Sequence, residues 1–174
     1  MVIWISGLPG AGKSTLAKYY YSTYKKKIRN LIIIDGDDFR KSMNNDLGFS
    51  IKDREINALR LTKLVKNFSD QKVNVVISAN LIFQKYRNWC KKNISHFLEV
   101  YIETSYNILE KRVIKKKFLN NQKTKKINIL GRDIHVKKPT KPDLVISNNL
   151  SKRDFVKKVN LINYTIKKKR IKIF

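Results

Sequence analysis

The chain has 174 residues, with 39 Lys and Arg against 13 Asp and Glu, for a formal net charge of +26. At 42% hydrophobic and 10% aromatic residues it is globular rather than disordered, and its length suits one domain, residues 1–174, with a core of its own. A single cysteine excludes an internal disulfide and a cysteine-built zinc site, no apolar run is long enough to span a bilayer, and the first residues lack a basic-then-apolar leader, so the expectation is a cytoplasmic protein with no membrane partner.

The first predicted element is an apolar strand over 2–6, VIWIS, which runs directly into GLPGAGKS. The eight residues Gly7, Leu8, Pro9, Gly10, Ala11, Gly12, Lys13 and Ser14 satisfy the pattern G-x-x-x-x-G-K-[ST] of a phosphate-binding loop. The glycines allow a tight backbone turn whose N–H groups face phosphate oxygens, and the helix expected over 13–27 adds its positive dipole end. In such a loop Lys13 reaches the β- and γ-phosphates as a catalytic cation, and the Ser14 hydroxyl ligates Mg²⁺. With Thr15 on the same turn, these residues form a candidate ATP site. The guanine-reading N-K-x-D motif is absent and the chain is too short for a large ATPase, which leaves a small kinase as the best class.

A second apolar strand, LIIID over 31–35, ends in DGDDFR. Carboxylates at the carboxyl end of such a strand sit where open α/β sheets bind ligands, so one of them can hold the metal while another accepts a proton from a hydroxyl. Arg40 lies close enough to neutralise an anion. Then comes NDLGFSIKDREINALR, in which Phe49 is offered from a turn for stacking on a base. Over the helix expected at 51–70, Arg54, Asn57 and Arg60 recur every third residue, while Leu61, Leu64, Val65 and Phe68 form the apolar stripe.

Further strands are expected over 73–78, 97–103 and 143–148, with helices over 83–94, 105–117 and 152–169. Ser151 is the expected N-cap of the last helix, which buries Phe155, Val156, Val159, Ile162 and Ile166. Strands alternating with helices predict an α/β P-loop NTPase fold, a three-layer sandwich with about five parallel strands and helices on both faces. Residues 112–138 hold ten Lys or Arg against one acid, Asp133, and read as a basic lid, with Arg112 placed to touch the nucleotide. Trp4 and Cys90 read as core, His96 as a residue capping or lining its strand, and His135 and the lysine runs as solvated. Lys, Ile and Asn are dense together, as AT-rich codons supply, so the charge is assigned to composition and anionic ligands rather than to nucleic acid.

Taken in order, these motifs resemble the adenylyl-sulfate (APS) kinase family over about residues 1–148. GLPGAGKSTLA is similar to its phosphate loop, DGDDFR to its D-G-D-N-x-R, and NDLGFSIKDREINALR to its D-L-G-F-S-x-x-D-R-x-x-N-x-x-R. FLEVYIET and GRDIHVKKPTKPDLVIS resemble its fourth strand and late segment. The resemblance implies transfer of the ATP γ-phosphate to the ribose 3′-hydroxyl of APS, giving PAPS, with Mg²⁺ as cofactor. It implies Asp37 as catalytic base and metal-side acid, and Asp35, Arg40, Phe49, Arg54 and Asn57 on the acceptor side, Phe49 stacking on the base. Family members are often dimers, so a homodimer is among the expectations.

Three stretches depart from the family. ISANLIFQKYRNWCKKNI replaces the segment that begins F-I-S-P, VIKKKFLNNQK keeps only Lys115 and Phe118 of the lid text, and lysine replaces an acid in His135–Pro139. Phe83, Trp89, Asn93 and Ile94 resemble instead a branch of APS-kinase-like proteins of capsule and surface-sugar gene clusters, where a cytidine diphosphoramidate receives the 3′-phosphate. The first expectation for the acceptor is APS, and the alternative is such a cytidine nucleotide. A reading of another class is a basic RNA-binding protein with a vestigial ATP site.

Overall fold

The computed structural model describes residues 1–119, 128–149 and 151–174. Five strands, β1 (Val2–Gly7), β2 (Leu31–Asp35), β3 (Asn74–Ser78), β4 (Phe97–Glu103) and β5 (Leu144–Ser147), form one sheet in the order β2-β3-β1-β4-β5. Every neighbouring pair is parallel. β1 and β3 are buried along their whole length, which explains why they read as continuous apolar runs rather than alternating ones.

Alternation along β1 sends side chains to two separate cores. On one face Ile3 and Ile5 meet Leu16 and Tyr20 of α1 (Lys13–Tyr24), Phe155 of α6 (Lys152–Lys157) and Val159 and Ile162 of α7 (Val159–Lys168). On the other, Val2 and Trp4 meet Leu61 and Val65 of α3 (Ile51–Asp70) and Cys90 of α4 (Gln84–Asn93). Trp4 is fully buried, and its Nε1 donates to the Ala79 carbonyl at 3.1 Å. Burial pushes the Cys90 thiol up to about 12, which makes it a packing group and not a nucleophile. α5 (Tyr106–Leu119) follows β4. These elements form the expected sandwich.

Two helices differ from expectation. Residues 36–42 form a separate helix, α2 (Gly36–Ser42), where the sequence reading had only a strand-end motif. Its chemistry is that of a capped helix: the Asp35 side chain accepts from the Asp37 N–H at 2.9 Å, Asp37 and Asp38 fill the first turn, and Arg40 and Lys41 the last. Gly36 is required because a Cβ there would stand 2.9 Å from that of Ala79. The last helix is broken in two at Lys158, whose ψ of −4° unwinds the turn between α6 and α7. Ser151 caps α6 as expected, Phe155, Val159, Ile162 and Ile166 are buried, and Val156 is only partly so. Among the described residues no helix is long and apolar enough to cross a membrane.

Candidate active site

The parallel sheet turns the ends of all five strands toward one edge, and the predicted site residues gather there. β1 delivers the phosphate loop, in which Gly10 and Gly12 adopt φ of +80° and +101°, the left-handed region open to glycine. The Ala11 N–H donates to the Leu8 carbonyl at 3.1 Å and closes the turn. Lys13 folds back over the loop, its Nζ donating to the same carbonyl at 3.1 Å.

Beside it stands the acid at the end of β2. The Ser14 hydroxyl donates to Asp35 Oδ2 at 2.6 Å, and the Ser78 hydroxyl, from the end of β3, donates to the same oxygen at 2.7 Å. Burial works to raise the Asp35 carboxyl, but hydrogen bonds from Ser14, Ser78 and the N–H groups of Asp37 and Asp38 outweigh it and hold the group below its ordinary value. The sequence reading placed Asp37 on the metal side with Ser14 and gave Asp35 to the acceptor; the carboxylate bonded to Ser14 is that of Asp35. Asp37 projects from the first turn of α2 and is exposed, while Asp38 pairs with Lys41 at 3.2 Å.

The acceptor-side residues come from α2, α3 and the loop between them. Arg40 is buried, and its Nη1 donates to the carbonyls of Leu47 at 3.1 Å and Gly48 at 2.8 Å, so the guanidinium shapes the loop that presents Phe49. The Phe49 ring is 47% exposed, with Arg40 Cζ at 5.1 Å and Arg54 Cζ at 5.4 Å from its centroid. Arg54 Nε donates to the Phe49 carbonyl at 3.0 Å and its Nη2 to that of Asn128 at 2.8 Å. Burial, and then the neighbouring Arg40 charge, lower the Arg54 pKa, while Asp37 opposes them. Asn57 lies three residues on from Arg54, half-buried, and its side chain makes no hydrogen bond to a described residue. Arg60, the third member of the expected polar face, pairs with Asp46 at 2.6 Å and ties down the loop instead.

On the opposite side of the phosphate loop, Arg112 Nη1 donates to the Gly10 carbonyl at 3.3 Å. Asn148, at the end of β5, donates from Nδ2 to the Ala11 carbonyl at 2.7 Å. Sequence reasoning missed Ser78 and Asn148; their places at strand ends on the carboxyl edge were the available signal. Among the described residues, buried side-chain atoms without a hydrogen bond are Arg40 Nε, Asn80 Oδ1, Thr104 Oγ1 and Asn148 Oδ1, together with three atoms of the ion pair between Arg87 and Glu99. Asn80, Thr104 and Asn148 lie just beyond the ends of β3, β4 and β5, where ligands bind, and Arg40 lies in the last turn of α2. His135 is exposed, and His96 sits at the far edge, its carbonyl accepting from the Val2 N–H and its Nδ1 from that of Lys172. Within the expected lid, Lys138 pairs with Glu103 at 2.5 Å, residues 120–127 lie outside the described residues, and so do the side chains of Lys115 and Phe118.

A profile described as Adenylylsulphate kinase matches residues 1–147. An adenylyl-sulfate kinase of Buchnera aphidicola subsp. Schizaphis graminum is 34% identical over 164 residues, covering 91% of this chain and 76% of that protein. The cytidine diphosphoramidate kinase of Campylobacter jejuni subsp. jejuni is 32% identical over 161 residues, covering 92% of this chain and 93% of that protein. Among solved structures, the Mycobacterium tuberculosis APS kinase in complex with AMPPNP and APS superposes with a TM-score of 0.77 at 26% identity, covering 95% of this chain and 96% of that one.

Proposed function

The chain belongs to the adenylylsulphate kinase family, and from that premise we propose that it transfers the γ-phosphoryl group of ATP to the ribose 3′-hydroxyl of a nucleotide with a modified 5′-phosphate, adenylyl sulfate first among them. The observation that carries this reading is the 2.6 Å bond from Ser14 to Asp35, which joins the phosphate loop to the acidic strand end from which α2 projects. The donor loop and the acid that begins the acceptor-side segment are thereby fixed to one another. Phosphoryl transfer asks little else of a protein than such positioning and charge neutralisation.

Lys13 and the loop N–H groups hold the β- and γ-phosphates. The donor set of hydroxyl and carboxylate oxygens suits Mg²⁺: Ser14 and Asp35 would hold it, with phosphate oxygens completing its shell, since among the described residues no three His, Cys, Asp or Glu cluster to bind a metal alone. The ion supplies neutralisation of the transferring charge. Asp37, free on the first turn of α2, takes the proton of the 3′-hydroxyl. Phe49 stacks on the acceptor base, Arg54 with Asn57 engages its 5′ anion, and Arg40 supplies the buried positive field behind the ring. Arg112 stands over the outer wall of the loop and neutralises charge on the donor.

A second acceptor has its own support. The relative named for cytidine diphosphoramidate matches along 93% of its length, and from the end of β3 this chain has ISANLIFQKYRNWCKKNI where the family's segment begins F-I-S-P. Measuring ADP release from Mg·ATP with APS, cytidine diphosphoramidate and plain nucleotides as acceptors decides between them. Turnover of APS is the expected result; turnover of the cytidine compound alone transfers the reading to that acceptor, and turnover of none refutes it.

A further inference from the structure

A loop that holds phosphate works while its N–H groups point at the ligand and its carbonyls point away. Glycine backbone does not enforce this. Gly10 and Gly12, at φ of +80° and +101°, lack the Cβ that restricts other residues, so the peptide between Ala11 and Gly12 can turn over at little steric cost. In a planar trans peptide the C=O and N–H point in opposite directions. Whatever captures the Ala11 carbonyl therefore also sets the direction of the Gly12 N–H.

Asn148 makes that capture. Its Nδ2 donates to the Ala11 carbonyl at 2.7 Å across 137 residues of sequence, and it is 3% exposed. The side chain has a rigid base, because the Asn148 N–H donates to the Glu103 carbonyl at the end of β4 at 2.8 Å. Its own carbonyl accepts from Arg112 Nη2 at 3.4 Å, and Arg112 Nη1 reaches the Gly10 carbonyl at 3.3 Å. Two successive carbonyls of the loop are thus held from one side by one linked pair of residues. A Cβ on Gly12 would stand 2.7 Å from Asn148 Nδ2, so the amide is packed directly on the loop. Asn148 Oδ1 is buried and unpartnered. The amide is therefore not placed to satisfy itself; turning it over would set oxygen against the Ala11 carbonyl, so its orientation is dictated by the loop.

We propose that Asn148 is a positioning residue of the phosphate site: its carboxamide keeps the Ala11–Gly12 peptide with its N–H toward the phosphates, Arg112 bracing the neighbouring carbonyl. It sets the affinity for the phosphate chain rather than for the base. The inference rests on GLPGAGKS being the nucleotide site.

Calorimetric titration of the parent, Asn148→Ala and Asn148→Asp with Mg·ADP, and separately with Mg·pyrophosphate, tests it. Asn148→Ala is expected to weaken both ligands by about tenfold, the worth of one hydrogen bond. Asn148→Asp should weaken both by more, since a carboxylate repels the Ala11 carbonyl; if it fails to fold, Asn148→Ala alone decides. A residue that merely supports the fold would lower the melting temperature of the free protein and leave both affinities unchanged, and that outcome overturns the proposal. So does a loss confined to Mg·ADP, which would assign Asn148 to the base. A parent that binds neither ligand overturns the nucleotide-site reading itself, and is distinguishable from both.

Discussion

Glu99 on β4 is fully buried between two cations of α4, with Arg87 Nε 2.8 Å from its Oε1 and Lys91 Nζ 2.8 Å from its Oε2. At 2.8 Å and an effective dielectric of about 20, two unit charges attract by about 6 kcal/mol before the cost of taking them out of water. The two partners are not equivalent: the Arg87 side chain is 3% exposed, whereas that of Lys91 is 31% exposed and also donates to the Lys141 carbonyl at 2.8 Å. Replacing Glu99 by Gln leaves Arg87 charged and buried with nothing opposite it, which should cost about 3–5 kcal/mol. Replacing Arg87 by Met leaves Glu99 facing Lys91, so the loss should be about 1–2 kcal/mol, the scale of one charged hydrogen bond. The double variant Arg87→Met with Glu99→Leu removes both buried charges, frees Lys91 to turn to water, and should be no less stable than the parent. Urea unfolding followed by circular dichroism, with slopes that stay constant across the set, reads these differences. Equal losses from the two single substitutions, or a Glu99→Gln loss below about 1 kcal/mol, would refute the reasoning that Glu99 is the shared hub.

Asp37→Asn should lower kcat by about 10²–10⁴-fold while Mg·ADP still binds normally, and near-parental turnover would remove Asp37 as the base. Phe49→Ala should raise KM for the acceptor by about tenfold or more with KM for ATP unchanged, because stacking on an exposed ring is worth about 1–3 kcal/mol; a matching rise for both substrates would place the ring elsewhere. Asp35 is held below its ordinary carboxyl value of 3.8, so the folded chain binds fewer protons there than the unfolded one. Its stabilisation is complete above that value and is lost as pH falls through the lower folded one. The stability gap between the parent and Asp35→Asn should therefore stay flat near neutrality and close on acidification, and a gap that widens below pH 3.8 contradicts the assignment.

The strands and the phosphate loop were legible because their signals are local. VIWIS and NVVIS are buried on both faces and so are apolar along most of their length, and a loop that needs positive φ must show its glycines. The apolar stripe of α3 likewise declares its face. α2 was missed although its marks were present, an Asp cap, two acids and then two bases, because seven residues are too short to show a hydrophobic period. That Asp35 rather than Asp37 meets Ser14 was not legible: which of two neighbouring carboxylates does so depends on the direction in which β2 leaves off, and the capping bond to the Asp37 N–H turns Asp35 inward. Arg40 read as a group that neutralises an anion, and its burial, with both bonds of Nη1 going to the Leu47 and Gly48 carbonyls, was not visible in the sequence. Asn148 has no motif at all, since its partner lies in the first dozen residues.

The position of β1 in the middle of the sheet has a consequence for how such a protein can change. β2 and β3, on one wing, lead to Asp35, Asp37, Phe49, Arg54 and Asn80, while β4 and β5, on the other, lead to Arg112 and Asn148. Among the described residues the two wings meet at the phosphate loop and where Arg54 bonds the Asn128 carbonyl. Substitutions that accumulate between residues 38 and 77 can therefore exchange one acceptor for another without disturbing the machinery that grips ATP, and a chimaera joined at the ends of β2 and β3 would inherit its appetite from one parent and its fuel from the other.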